Sequence, residues 1–150
     1  MPDSPNLSSY FENCLFFSLS KLQREIDRMA ESAFKHLGLA PNQGFVLVAL
    51  NVSESLTPSQ LAETLGLAPS TITRFVTKLE TLGYCEKCLS GKIVNISITP
   101  KGRSLIPEIK KSWTDLLHKY TELYGQEEAK QLNQLIVTLA KKTKPTPPTP

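Results

Sequence analysis

The stretch PSTITRFVTK, residues 69–78, sets four hydroxyl side chains, Ser70, Thr71, Thr73 and Thr77, beside two cations, Arg74 and Lys78. On a helix these would share one side, because the apolar residues Ile72, Phe75, Val76, Leu79 and Leu82 take the other. Short hydroxyls near a helix start approach phosphates, thymine methyls and base edges closely. A guanidinium offers guanine two donors, and an ammonium neutralises a phosphate. The chemistry of such a row is recognition of an anionic surface. Taken alone, the same residues also serve to solvate a surface helix, so their neighbours decide.

Bond-making chemistry needs a nucleophile beside a base, a carboxylate pair, a metal set or a phosphate-cradling loop. His36 and His118 are isolated, and no glycine-rich loop follows a strand. Cys85 and Cys88 form a C-x-x-C pair, yet on an extended strand they face opposite sides with Cα atoms about 10 Å apart. No disulfide closes there, and a structural zinc ion would need about four ligands. We expect no enzyme, no metal and no other cofactor.

The elements that would position the row carry clear start and stop residues. Thr57-Pro58-Ser59-Gln60 reads as a capping box with proline in the first turn; Leu61, Ala62 and Leu65 follow as a buried stripe, and Gly66 ends the helix. The next helix opens at Pro69, lacks a capping side chain at Ala68, and stops at Gly83. Two short helices joined by LGLA make a helix-turn-helix with the polar face of the second turned outward. In CEKCLSGKIVNISIT the period changes to two around a Ser90-Gly91 turn signal, which predicts a β-hairpin carrying Lys87 and Lys92.

Thr99-Pro100 then repeats the helix start and opens a long helix, with Pro107 expected to kink it, and a last helix runs from Gln126 to about Lys142. Upstream, Phe11, Leu15, Leu19, Leu22, Ile26 and Met29 predict one amphipathic helix from Ser9 to about Leu37. Its part NCLFFSLS is apolar nearly all round, which points to burial against a partner. Phe45 to Leu50 reads as a short buried helix, with a strand as the alternative.

A chain of 150 residues with 40% hydrophobic and 21% charged residues suits one globular unit of mainly α class with a small β-hairpin. The formal charge of +3 is uneven: residues 57–103 hold 6 basic and 3 acidic groups, residues 1–56 hold 4 and 6. An odd number of cysteines, a polar N-terminus and the lack of a long apolar run lead us to expect a cytoplasmic protein with no membrane contact.

The segment LTPSQLAETLGLAPSTITRFVTKLETLGY, the hairpin after it and the ITPKG that opens the long helix resemble the MarR family of bacterial transcription regulators, over residues 9–142. The resemblance implies a winged helix-turn-helix lobe at residues 38–103 and a dimerisation region of the N- and C-terminal helices at 1–37 and 104–142. A Pro-rich tail at 143–150 is expected to be disordered. It further implies an obligate homodimer that binds a pseudo-palindromic double-stranded DNA operator, by family default as a repressor. Carried over residue by residue, the DNA-facing positions are Ser70, Thr71, Thr73, Arg74 and Lys78, supported by Thr57 and Ser59, with Lys87 and Lys92 in the wing. Family wings carry an acidic and double-arginine sequence in a longer loop. Here the tip is LSGK with a single Lys92, so minor-groove reading by a wing arginine does not carry over.

A small aromatic or apolar effector would sit between the dimer helices and the DNA-binding lobe, where Phe16, Phe17, Phe45 and Trp113 could line a cavity. Plain core packing is the other reading of those aromatics. Cys14, in FENCLFFSLS, resembles the thiol of the organic-hydroperoxide-sensing branch, but with EN aligned the sensing position falls on Phe16, about 200° round the helix. Cys14 is thus either an oxidant-sensitive thiol or a small core or interface residue. A winged-helix module used for protein contact, without operator binding, is the competing reading of the whole chain.

Overall fold

The computed structural model describes residues 7–143, which form helices with one small antiparallel sheet. A single turn, α1 (Leu7–Tyr10), precedes α2 (Leu15–Phe34), which runs into a 3-10 turn at Lys35–Leu37 and stops at Gly38. The single helix expected from Ser9 is therefore broken. Cys14 stands extended as the N-cap of α2 (φ −93°, ψ 112°), and Ser18 Oγ donates to the Glu12 carbonyl at 3.2 Å. No glycine or proline marks the break. A hydroxyl competing for backbone accompanies it instead, which a hydrophobic period does not register.

The apolar run at Phe45–Leu50 is helical, as the first of its two readings held. It lies in α3 (Pro41–Ser53), where Pro41 supplies the first turn and the Ala40 amide donates to Gln43 Oε1 at 3.0 Å. Helices α4 (Pro58–Leu65) and α5 (Pro69–Thr81) follow as expected. The core gathers Phe34, Leu47, Leu50, Leu61, Ile72 and Leu79, all fully buried, with Ile96 and Ile109.

The hairpin is β2 (Cys85–Ser90) and β3 (Ile93–Ile98), and β1 (Ser55–Leu56) adds a third strand in the order β1-β3-β2. With only two residues, β1 has no period to read. Ser90 pairs with Ile93, so the loop is Gly91–Lys92, one residue later than the Ser90-Gly91 signal placed it. Gly91 takes φ +63°, the value a two-residue hairpin asks of its first loop residue.

Helix α6 (Pro100–Tyr124) continues through Pro107, and α7 (Gln126–Lys142) completes the chain. The chain divides into two compact units, Met1–Trp113 and Thr114–Pro150. Of the tail expected at 143–150, all but Thr143 lies outside the described residues. No helix among them is long and apolar enough to cross a membrane.

Candidate nucleic-acid interface

The site begins with the cap of α4. The Gln60 amide donates to Thr57 Oγ1 at 3.2 Å and the Thr57 amide to Gln60 Oε1 at 2.9 Å, the reciprocal pair the sequence predicts. Gly66, at φ +63°, turns the chain, and the Leu67 amide closes on the Ala62 carbonyl at 3.0 Å. That fixes the exit toward α5. Ala68 offers no side-chain cap, so the amino end of α5 rests on Pro69 and keeps its polarity for an outside acceptor.

Helix α5 buries Ile72, Val76 and Leu79 and half-buries Phe75, and Leu82 just after its end is half-buried too. Ser70, Thr73, Arg74, Thr77 and Lys78 are exposed on the other side, while Thr71 is half-buried at its edge. The guanidinium carbon of Arg74 lies 5.8 Å from the Phe75 ring centroid, which steadies the long side chain along the helix. Ser59 is exposed in the first turn of α4, while Thr57 is half-buried with its hydroxyl engaged in the cap.

Three threonine hydroxyls are committed to their own helix. Thr73 donates to the Pro69 carbonyl at 3.0 Å, Thr77 to Thr73 at 2.8 Å and Thr81 to Thr77 at 2.9 Å. The sequence reading took Thr73 as a hydroxyl open to DNA. Residue types alone do not reveal which rotamer a threonine adopts.

The far end of α5 is held by residues that sequence reasoning used only as a helix start. Lys101 Nζ donates to the Leu82 carbonyl at 2.9 Å and sits 5.2 Å from the Tyr84 ring centroid. Thr99 Oγ1 donates to the Gly83 carbonyl at 2.6 Å and accepts from the Gly102 amide at 3.1 Å. The motif ITPKG thus clamps the carboxyl end of the exposed helix to the start of α6. A lysine beside a helix C-terminus was the available signal.

Lys87 Nζ lies 3.5 Å from Glu80 Oε2, so this wing cation is paired with α5, whereas Lys92 stands exposed in the two-residue tip. Between α5 and the wing lies a cleft of about 200 Å³ floored by Ile72, Val76, Val94 and Ile96, with Thr73 and Lys87 also lining it. Beneath, Cys85 is buried and its Sγ donates to the Val76 carbonyl at 3.7 Å. Burial first, then the Glu80 carboxylate, pushes this thiol from 9.0 up to about 11, which keeps it protonated and unreactive. Cys88 is exposed, as expected of the other strand face, and Cys14 is exposed at the break between α1 and α2. The described residues contain no group of three or more His, Cys, Asp or Glu placed to hold a metal ion.

The four aromatics expected to line a pocket divide. Phe45 stacks on Trp113 with centroids 4.7 Å apart, and Phe34 lies 6.2 Å from the same indole. Phe17 instead packs on Phe11 at 5.2 Å, and Phe16 is 81% exposed. Two donors near the stack, Ser112 Oγ and Trp113 Nε1, are buried with no hydrogen-bond partner among the described residues.

Capped helix, tight turn, exposed polar helix and short hairpin together define a winged helix-turn-helix protein. The model of the MarR family matches residues 39–88. The repressor MdtR of Bacillus subtilis (strain 168), an HTH-type transcriptional repressor, is 27% identical over 143 residues, spanning 93% of this chain and 90% of its own. The transcriptional repressor CouR bound to p-coumaroyl-CoA superposes with a TM-score of 0.81 at 25% identity, covering 89% of this chain and 96% of that one. CouR bound to a 23-mer DNA duplex shares the fold at a TM-score of 0.79 and 24% identity, over 87% of this chain and 94% of that one. A MarR-family regulator from Rhodococcus sp. RHA1 gives 0.76 at 25% identity, over 93% of this chain and 99% of that one. The chain thus resembles the MarR family over residues 39–88 and HTH-type transcriptional regulators over most of its length.

Proposed function

We propose that the protein is a dimeric repressor that binds a two-fold symmetric operator through α5 and leaves it when a small aromatic or apolar effector binds. The observation that carries this reading is the outward row of α5, where Arg74 and Lys78 stand exposed on a helix anchored by three buried aliphatic residues. Its amino end, free of a side-chain cap, suits a phosphate, and the helix diameter suits the major groove. In this reading Ser70 and Thr71 meet backbone or base edges, Arg74 reads a base, and Lys78 neutralises a phosphate. Thr57 and Ser59 approach the flanking backbone from α4. Lys92 reaches a phosphate from the wing tip, and Lys87 orients the wing against α5 while adding positive potential. The DNA-bound structure of CouR supports this use of the fold.

Dimer formation is supported by side chains that a single chain leaves in water. Leu7, Tyr10, Leu15 and Phe16 are 76–81% exposed, and Leu123, Leu135 and Leu139 are 48–67% exposed. An effector site is supported by the Phe45–Trp113 stack with its unpaired indole N–H, and CouR holds p-coumaroyl-CoA. Exposed Cys14 supports oxidation as a second release route.

The test is selection of bound sequences from a random duplex pool, with stoichiometry of the selected duplex measured at two salt concentrations. A symmetric motif bound by two chains is expected, and Arg74→Ala should weaken binding by roughly 1–3 kcal/mol and relax one position per half-site. Absence of any selected motif would instead favour a winged-helix module that contacts protein.

A further inference from the structure

We propose that Thr73 and Thr77 read thymine methyl groups, so that the base pairs opposite them are A·T with the methyl turned toward α5. The inference rests on the reading of α5 as the DNA-contacting helix and specifies what part of that helix sees. Its ground is the bonding of the two hydroxyls, at 3.0 Å to Pro69 and 2.8 Å to Thr73. A threonine whose hydroxyl proton is given to the carbonyl four residues back has a fixed χ1, and its γ-methyl is the group left over. Both side chains are exposed, so those methyls belong to the outward surface of the helix.

Their placement is central. At about 100° per residue, Thr77 lies about 40° round from Thr73, with Ser70 about 60° and Arg74 about 100° in the same sense. The two methyls therefore neighbour the Ser70 hydroxyl and the Arg74 guanidinium, the groups free to bond a phosphate or a guanine. In the major groove the apolar group that projects furthest from a base pair is the thymine C5-methyl; cytosine presents only a C5–H there, and the hydrogen-bonding edge groups are donors or acceptors. A methyl pressed against one of those would leave it desolvated and unpaired. Each hydroxyl oxygen retains a lone pair, however, and that lone pair could instead accept from an adenine or cytosine amino group. Methyl and oxygen make opposite predictions for two replacements of threonine. Serine keeps the oxygen and loses the methyl; valine does the reverse.

The experiment uses the full-length protein and the duplex chosen by selection, with each thymidine replaced singly by deoxyuridine, which removes only the methyl. Wild type should lose about fourfold in affinity at each methyl it reads, the value of one buried carbon. The double variant Thr73→Ser/Thr77→Ser should bind thymidine and deoxyuridine duplexes alike, while Thr73→Val/Thr77→Val should keep the discrimination. Wild-type binding indifferent to every deoxyuridine would overturn the inference, as would discrimination that survives in the serine variant and is lost in the valine one. If no duplex is selected at all, the DNA-binding reading itself fails and this inference with it, so the two failures are distinguishable.

Discussion

At the scale of single residues, backbone and burial set two energies that residue type does not advertise. Glu54 follows α3 with φ 62° and ψ −42°, a conformation that costs an L residue about 1–3 kcal/mol. It sits at the entry to β1, where the chain must turn sharply to pair Ser55 with Ser97. Glu54→Gly should therefore raise stability by about 1 kcal/mol, read as a higher midpoint in thermal or urea unfolding; an unchanged or lower midpoint would show the turn to be unstrained. Cys85 is the second case. Its folded thiol titrates at about 11 against 9.0 when unperturbed, because burial and Glu80 oppose the thiolate. The unfolded chain thus releases this proton first as pH rises, and ∂ΔG/∂pH is negative from pH 9.0 to about 11. Stability is full below that window and declines through it by at most about 2–3 kcal/mol. Cys85→Ala should flatten this part of a pH–stability profile relative to wild type, and parallel profiles would count against the shifted thiol.

Elements show where a sequence speaks and where it is silent. Starts written in caps were legible: Thr57-Pro58 with Gln60 forms the predicted box, and Pro69 opens α5 without help from Ala68. Such signals are local, so a few residues contain them. The break before α2 was not legible, because apolar spacing carries through Phe11 and Leu15, whereas the extended Cys14 and the bond from Ser18 to Glu12 that accompany the break leave no mark on that spacing. Strand β1 depends on a partner about forty residues away in sequence, which no local period records. The candidate site divides the same way: the outward face of α5 followed from residue spacing, whereas the committed hydroxyls of Thr73 and Thr77 and the pairing of Lys87 with Glu80 followed from rotamers. The clamp at Lys101 and Thr99 gives this scale its prediction. Gly102 lies so close to the Tyr84 carbonyl oxygen that a Cβ would run into it and come within 2.8 Å of Ile98 Cγ1. Backbone cannot yield as a side chain does. Gly102→Ala should cost about 1–3 kcal/mol of stability, whereas Gly66→Ala, with open space around its Cβ, should show only the strain of φ +63°.

For the molecule as a whole, charge and exposed apolar surface meet in one quantity, the salt dependence of DNA binding. A chain that leaves Phe16 81% and Leu135 56% exposed has strong reason to self-associate, and two copies present two α5 helices. Each phosphate neutralised contributes about 0.9 to the slope of log K against log salt. Removing one phosphate contact per chain therefore lowers the slope by about two if a dimer binds and by about one if a single chain does. Lys78 is the residue for this, because it is exposed on α5 and its assigned partner is a phosphate, not a base. Lys78→Ala should weaken binding to all duplexes alike, unlike Arg74→Ala, which should blur one position. Leu135→Glu in α7 lets the same measurement test assembly: sedimentation should show a single chain, the slope should fall to about half its wild-type value, and adding Lys78→Ala should lower it by about one more. If Leu135→Glu leaves both the mass and the slope unchanged, that leucine lies outside the dimer contact, and Phe16 becomes the next residue to replace.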